Sequence, residues 1–186
     1  MISVKGSVLR SRLVLVDELA PGDGRKRVLA RLDRGDREVL ESLLVSSWYP
    51  FELGRRLDEA IVDELGGGKN EFFEKLGEAS AEKNLGPGGV HRGFLVPGDP
   101  QAFLAKTPLI YSYYYDQGRR EYEKTGDEEA VLTTRDAETF SAPDCLTVVG
   151  WYRRALEMCG AGAARVVEEE CRAKGGSVCR YRLSWS

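Results

Sequence analysis

Three cysteines and a run of glutamates near the C-terminus are the residues of this chain whose types and spacing could bind a metal: Cys145, then Glu168-Glu169-Glu170-Cys171, then Cys179. The thiolate is the metal-binding form of cysteine. Cys145 falls in the expected first turn of a helix, where unsatisfied N–H groups and the helix dipole favour that form. Cys171 closes one expected strand and Cys179 opens the next, so a hairpin brings the two thiols together. Three thiolates and one carboxylate suffice for tetrahedral zinc, and four protein ligands with no open position make such a site structural. Glu168 lies three residues before Cys171 and in a regular strand points to the opposite face, so either a bulge re-aims it or Glu169 takes its place. The alternative is that these thiols are small buried hydrophobes. Cys159 shares a helical stripe with Cys145 at the helix end and stands outside the set.

The elements that must position these residues are written mainly in the last third of the chain. Ser141-Ala142-Pro143-Asp144 has a capping hydroxyl, an early proline and an acid three residues after the cap, which predicts a helix running to about Cys159 and stopping at Gly160. Two strands follow, about 164–172 and 178–185, the second placing Cys179, Tyr181, Leu183 and Trp185 on one face. Another hairpin is expected around Gly126-Asp127, between Glu121-Tyr122-Glu123 and Ala130-Val131-Leu132-Thr133. Upstream, the segment from Val4 to Val16 reads as a strand or extended lead-in. Two short helices are expected between Arg25 and Leu44, broken at Gly35. A helix starts at Ser46-Ser47-Trp48-Tyr49-Pro50 and carries the stripe Leu53, Leu57, Ile61 and Leu65, and another spans about 70–83. The breaker-rich stretch from Gly86 to Pro100 holds His91 and reads as a loop or pocket lid, with two short helices after it. The tyrosines at 111 and 113–115 could line an aromatic pocket, but core packing is the simpler account.

The whole chain is consistent with one domain spanning 1–186, helical over about 25–117, with the sheet and the zinc site in about 118–186. At 186 residues, 42% hydrophobic and 31% charged, it can bury a single core unaided. Its 27 basic and 30 acidic residues are interspersed, so no polybasic stripe supports nucleic-acid binding. Apolar runs such as Leu13-Val14-Leu15-Val16 are far too short to span a bilayer, and no signal-like segment follows Met1, so a cytoplasmic location is expected. Cysteines confined to positions 145–179 do not form a disulfide framework. A single histidine without a serine or cysteine motif gives no nucleophile–base pair, and Gly86–Gly89 lacks the context of a phosphate loop, so the chain does not read as an enzyme.

The run from Cys145 through Gly150-Trp151 to Glu168-Glu169-Glu170-Cys171-Arg172-Ala173-Lys174-Gly175-Gly176-Ser177-Val178-Cys179-Arg180-Tyr181 resembles the C-terminal half of the 4-vinyl reductase (4VR) small-molecule-binding domain. The same unit forms the phenol-sensing domain of aromatic-responsive bacterial transcription activators. That resemblance implies an α+β fold, with helices covering a C-terminal antiparallel sheet, shared with haem-nitric-oxide-binding proteins and Bet3-like subunits of vesicle-tethering complexes. It implies zinc held by Cys145, Glu168, Cys171 and Cys179. By offset from the cysteines it makes Val149 and Val166 wall positions of a site for a small hydrophobic or aromatic ligand, and it puts His91 in the region of a ligand-contacting histidine. Lys5-Gly6-Ser7-Val8, Ser47-Trp48-Tyr49-Pro50 and Arg180-Tyr181-Arg182-Leu183-Ser184-Trp185 also resemble a heavily duplicated myxobacterial family along nearly the whole chain. The expectation is a non-catalytic small-molecule sensor or adaptor domain with a structural zinc site. The alternative is a dimerising scaffold for protein partners, packed solid and without metal or ligand; a homodimer is expected either way, since dimerisation is common among relatives of this fold.

Overall fold

The computed structural model describes residues 3–137 and 141–186. Its architecture is α+β, with helices covering a C-terminal antiparallel sheet, in agreement with the sequence. The start of the chain requires a correction. Strand β1 is only Ser3–Lys5, and helix α1 runs Gly6–Leu19 in place of the expected extended lead-in, so the helical part begins at Gly6 and not near residue 25. Leu9, Leu13 and Val16 recur at four and three and are buried on one face, which is the helical period. The misleading signal is Arg12, which interrupts the apolar residues as a strand's polar face would but is itself buried, at 4% exposure.

Two short helices follow as expected, α2 (Gly24–Ala30) and α3 (Arg34–Glu41), although the break lies at 31–33 and Gly35 sits inside α3. The Asp33 side chain caps α3 by accepting from the Asp36 N–H. Trp48–Pro50 is a strand, β2, and not a helix start; it pairs antiparallel with β1, Lys5 opposite Trp48 and Ser3 opposite Pro50. The Lys5 ammonium sits 4.6 Å from the Trp48 ring centre. Helix α4 (Phe51–Leu65) then begins after Pro50, whose fixed φ serves at the cap, so Ser46 and Ser47 cap nothing there. Its stripe Leu53, Leu57 and Ile61 is buried.

Helices α5 (Phe72–Leu85) and α8 (Ala142–Met158) form the central pair, and two glycines set how closely they cross. A Cβ at Gly77 would lie 2.2 Å from the Thr147 carbonyl oxygen, and one at Gly150 only 1.9 Å from that of Glu74. Arg153 ties the same pair at the surface, bonding Glu74 at 2.9 Å and Glu78 at 2.6 Å. Because backbone, and not a flexible side-chain end, opposes Gly150, Gly150→Ala must push the helices apart. A loss of about 1–3 kcal/mol is expected. An unchanged urea midpoint would mean that the crossing is looser than described.

After the short helices α6 (Pro100–Leu104) and α7 (Thr107–Ser112) come β3 (Arg119–Gly126), β4 (Glu129–Arg135), β5 (Arg165–Glu170) and β6 (Cys179–Ser184). They form one antiparallel sheet in the order β3-β4-β6-β5. Strand β6 alternates as its sequence requires, with Cys179, Tyr181 and Leu183 buried and Arg182 exposed. Helix α8 is capped at Ser141, whose hydroxyl accepts from the Asp144 N–H at 2.9 Å, and it packs on the sheet through Cys145, Val149 and Leu156. A second core cluster lies under α1, α4 and α5. Among the described residues no helix is long and apolar enough to cross a membrane.

Candidate metal centre and ligand cavity

The first turn of α8 and the β5–β6 hairpin bring the sulfurs of Cys145, Cys171 and Cys179 within 4.8 Å of one another, all buried. Cys145 Sγ is 3.3 Å from that of Cys171 and 3.7 Å from that of Cys179. All three are thiols and not disulfides, and the spacing is close to the edge of roughly 3.8 Å that Zn–S bonds of about 2.3 Å make in a tetrahedron. Three cysteines so placed can hold a metal ion.

The three glutamates differ in where they go. Glu168 pairs opposite Tyr181, whereas Glu170 pairs opposite Arg180, so the register slips by one residue between them. This bulge puts Glu168 on the inward face of Tyr181 and returns Cys171 to that same face. The Glu168 side chain is 9% exposed; one oxygen meets the Lys174 ammonium, and Oε1 is buried with no hydrogen-bond partner among the described residues. Glu169 bonds Arg182 at 2.6 Å on the outer face, and Glu170 closes the connecting loop by accepting from the N–H groups of Ser177 and Val178. Glu168 is the carboxylate whose charge bears on Cys171, although the set that closes within 4.8 Å contains the sulfurs alone.

Contact with Cys145, followed by burial, holds the Cys171 thiol well above its ordinary range. For Cys145 the bond from Cys171 favours the thiolate, but the contact with Cys179 and burial outweigh it and the thiol is also raised. Cys179 is pulled down, first by Cys145 and then by the Arg172 N–H, which donates to its sulfur at 3.5 Å. Three buried thiols in contact do not all ionise without a cation among them, and soft thiolate donors suit zinc better than magnesium or calcium.

On a different face of α8 a half-open cavity of about 300 Å3 lies between that helix, α1, α5 and the 107–120 segment. Its walls include Val148, Thr147 and Trp151 from α8 and Tyr111, Tyr114 and Tyr115 from α7 and the residues after it. Three of the four tyrosines line the space, and Tyr111 also stacks on Tyr115 at 4.8 Å, whereas Tyr113 is exposed and lies outside both the core and the cavity. His91 also lines it. Its Nε2 is 2.5 Å from the Tyr114 hydroxyl, its ring meets Phe94 and Tyr114 edge-on, and burial lowers its pKa so that the neutral imidazole is favoured. Val149 and Val166 lie elsewhere, buried in the core between α8 and the sheet.

The cavity floor carries a charge network that no sequence motif signals. Arg12 donates through Nε to Asp58 at 3.2 Å and through Nη2 to Asp144 at 2.6 Å, and the Ser141 hydroxyl donates to Asp58 at 2.6 Å. Burial pushes the Asp58 carboxyl up to about 7 against the pull of Arg12, and it raises Asp144 as well. Arg120 on β3 is the second guanidinium facing the space. Three segments distant in sequence meet here, and only a helical reading of α1 would have aimed Arg12 inward.

A family model described as "Protein of unknown function (DUF2378)" matches residues 47–186. No curated protein matches the chain. Solved structures of H-NOX proteins share the fold. An H-NOX mutant from K. algicida is 13% identical with a TM-score of 0.70, covering 98% of this chain and 96% of that one. A mutant of the T. tengcongensis H-NOX is 12% identical, TM-score 0.68, over 98% and 97%. The H-NOX protein from S. oneidensis in the Fe(II)NO ligation state is 10% identical, TM-score 0.68, over 98% and 99%.

Proposed function

Starting from the DUF2378 family, to which this chain belongs, we propose that it is a non-catalytic small-molecule sensor or adaptor domain whose structural zinc is held by Cys145, Cys171, Cys179 and Glu168. The observation that carries this reading is the double role of α8. One face presents Cys145 to the thiol cluster, and the next residues along the cavity wall, Asp144, Thr147 and Trp151, face the enclosed space. Occupancy of the cavity and the pinning of the helix start therefore act on one rigid element, as a sensor needs. The buried, unpartnered Oε1 of Glu168 supports that residue as the fourth ligand once Lys174 turns aside, because a buried carboxylate oxygen without a partner is costly. The 86–100 loop, with His91 bonded to Tyr114, is the natural gate to the cavity.

Among the H-NOX proteins of like fold, the group studied is haem. The residues here do not fit it. The cavity of about 300 Å3 lies at the bottom of the range for small-molecule sites, the Arg12–Asp58–Asp144 network fills its floor, and the one histidine is engaged by Tyr114.

Native mass spectrometry of chain purified without chelator tests the metal half of the proposal. One zinc per chain is expected; a metal-free chain that folds stably would reduce the thiols to core residues. The same spectrum reads native mass. A dimer there would point to the exposed Leu44, Val45 and Trp48 as the first surface to mutate.

A further inference from the structure

Two guanidinium groups face the cavity, and they differ in what neutralises them. Arg12 has Asp58 and Asp144. Arg120 donates Nε to the Thr134 hydroxyl at 3.1 Å and Nη1 to the Tyr152 hydroxyl at 3.2 Å, and lies over the rings of Tyr111 and Tyr152 at 5.1 and 5.6 Å. Among the described residues no carboxylate forms an ion pair with it. Asp144, the acid whose charge reaches it, already accepts from Arg12. A guanidinium offers five N–H donors in a planar fork, so among the described residues most of the donor edge of Arg120 has no acceptor. A half-buried cation without a counter-charge costs more than one in water, and an anion in the cavity relieves that cost.

A second polar group in the same wall is less well satisfied still. Thr147 is 9% exposed, lines the cavity, and among the described residues its Oγ1 makes no hydrogen bond. Around these two polar positions the surface is aromatic and aliphatic, from Tyr111, Trp151, Tyr152, Val148 and Ile110. Trp151 and Tyr152 meet edge to face at 5.0 Å.

We propose that the cavity takes a small aromatic carboxylate, its acid group on Arg120 and the Thr147 hydroxyl and its ring among Tyr111, Trp151 and Tyr152. This rests on the ligand-binding reading above and deepens it. A planar carboxylate matches the fork of a guanidinium, whereas a phosphate dianion would bring two charges to a single uncompensated cation. A neutral phenol would leave that cation as it is. The volume, about 300 Å3, accommodates one ring with a short acid arm.

The test is calorimetric titration of the full chain with benzoate, phenylacetate, benzamide and benzylamine at one pH and salt. The expected result is that the carboxylates bind at least about tenfold more tightly than benzamide, the size of one charge-assisted hydrogen bond. Arg120→Met should abolish that preference while leaving benzamide unmoved, and Thr147→Val should weaken the carboxylates by a smaller factor. If Arg120→Met does not fold, the benzoate-to-benzamide ratio in the native chain and in Thr147→Val decides. Benzamide or benzylamine binding as tightly as benzoate, or Arg120→Met keeping full benzoate affinity, overturns the carboxylate assignment and leaves a ligand-binding domain. Failure of all four probes overturns both.

Discussion

Replacing Cys171 with serine is expected to strip zinc from the chain and to lower its melting temperature by about 8–16 °C. A metal at a thousandfold excess over its dissociation constant stabilises a fold by about 4 kcal/mol. For a domain of this size each kcal/mol moves the midpoint by about 2–4 °C. The hairpin that carries Cys171 and Cys179 has its other end paired through β6 to β4, so loss of the ion frees the 171–178 connection and the start of α8 but leaves the sheet assembled. The Cys159→Ser variant is the control, because that thiol is as deeply buried but stands outside the sulfur cluster. It should keep the metal. Glu168→Gln should bind zinc more weakly than the native chain, since the amide is neutral, and Glu169→Gln should not, since Glu169 bonds Arg182 on the outer face. Metal content by plasma mass spectrometry, alongside melts with and without chelator, separates these outcomes. Equal melting losses for Cys171→Ser and Cys159→Ser, with no zinc in either, would sink the metal centre. Acidification should mimic Cys171→Ser, because thiolate ligands compete with protons and metal is released as pH falls.

What could be read from the sequence follows from how local the signals are. The β5–β6 hairpin and the start of α8 are legible because alternation, a capping serine and an early proline act within a few residues of one another. The gathering of three thiols follows from those elements, so it is legible too. The bulge is legible only as one of two alternatives, the other being that Glu169 faces the thiols, and the one-residue slip between Glu168 and Glu170 puts Glu168 on the face of Cys171. Helix α1 misleads a reader of the sequence because a buried ion pair puts an arginine where the apolar period demands a leucine. Trp48–Pro50 misleads because a proline after aromatics serves equally at a strand end and a helix start, and only the presence of β1 beside it decides. The cavity is out of reach for a different reason. Arg12, Arg120 and Thr147 come from three elements, and what marks the last two, a guanidinium with no carboxylate beside it and a buried hydroxyl without a hydrogen bond among the described residues, exists only after folding.

Removing the Arg12 side chain tests the other charged feature of the interior, and Arg12→Met is expected to lose about 3–5 kcal/mol, the usual cost of breaking a buried ion pair from one side. Methionine fills much of the volume over the Phe73 ring, which Arg12 covers at 5.2 Å, so the loss would come from charge and not from a cavity. Two buried carboxylates would then face each other with help from Ser141, Tyr115 and the more distant Arg120. The sign of the pH dependence follows. Burial already holds Asp58 at about 7 in the folded chain, far above the 3.8 of an unfolded aspartate. A carboxyl raised on folding contributes stability that is complete below its unfolded value and lost as pH rises through its folded one. Without the guanidinium both carboxyls rise further, so protonation relieves the variant more than the native chain. The deficit of Arg12→Met should therefore be largest near pH 8 and shrink toward pH 5, and urea unfolding of both proteins at those two values reads it directly. A deficit that is constant with pH would mean that Asp58 and Asp144 are solvated well enough to do without Arg12. The same variant bears on the cavity, since Asp144 is shared between the network and the wall. With Arg12 gone, the nearest cation for Asp144 is Arg120, and an aromatic carboxylate would then compete with Asp144 for that guanidinium and bind more weakly than to the native chain.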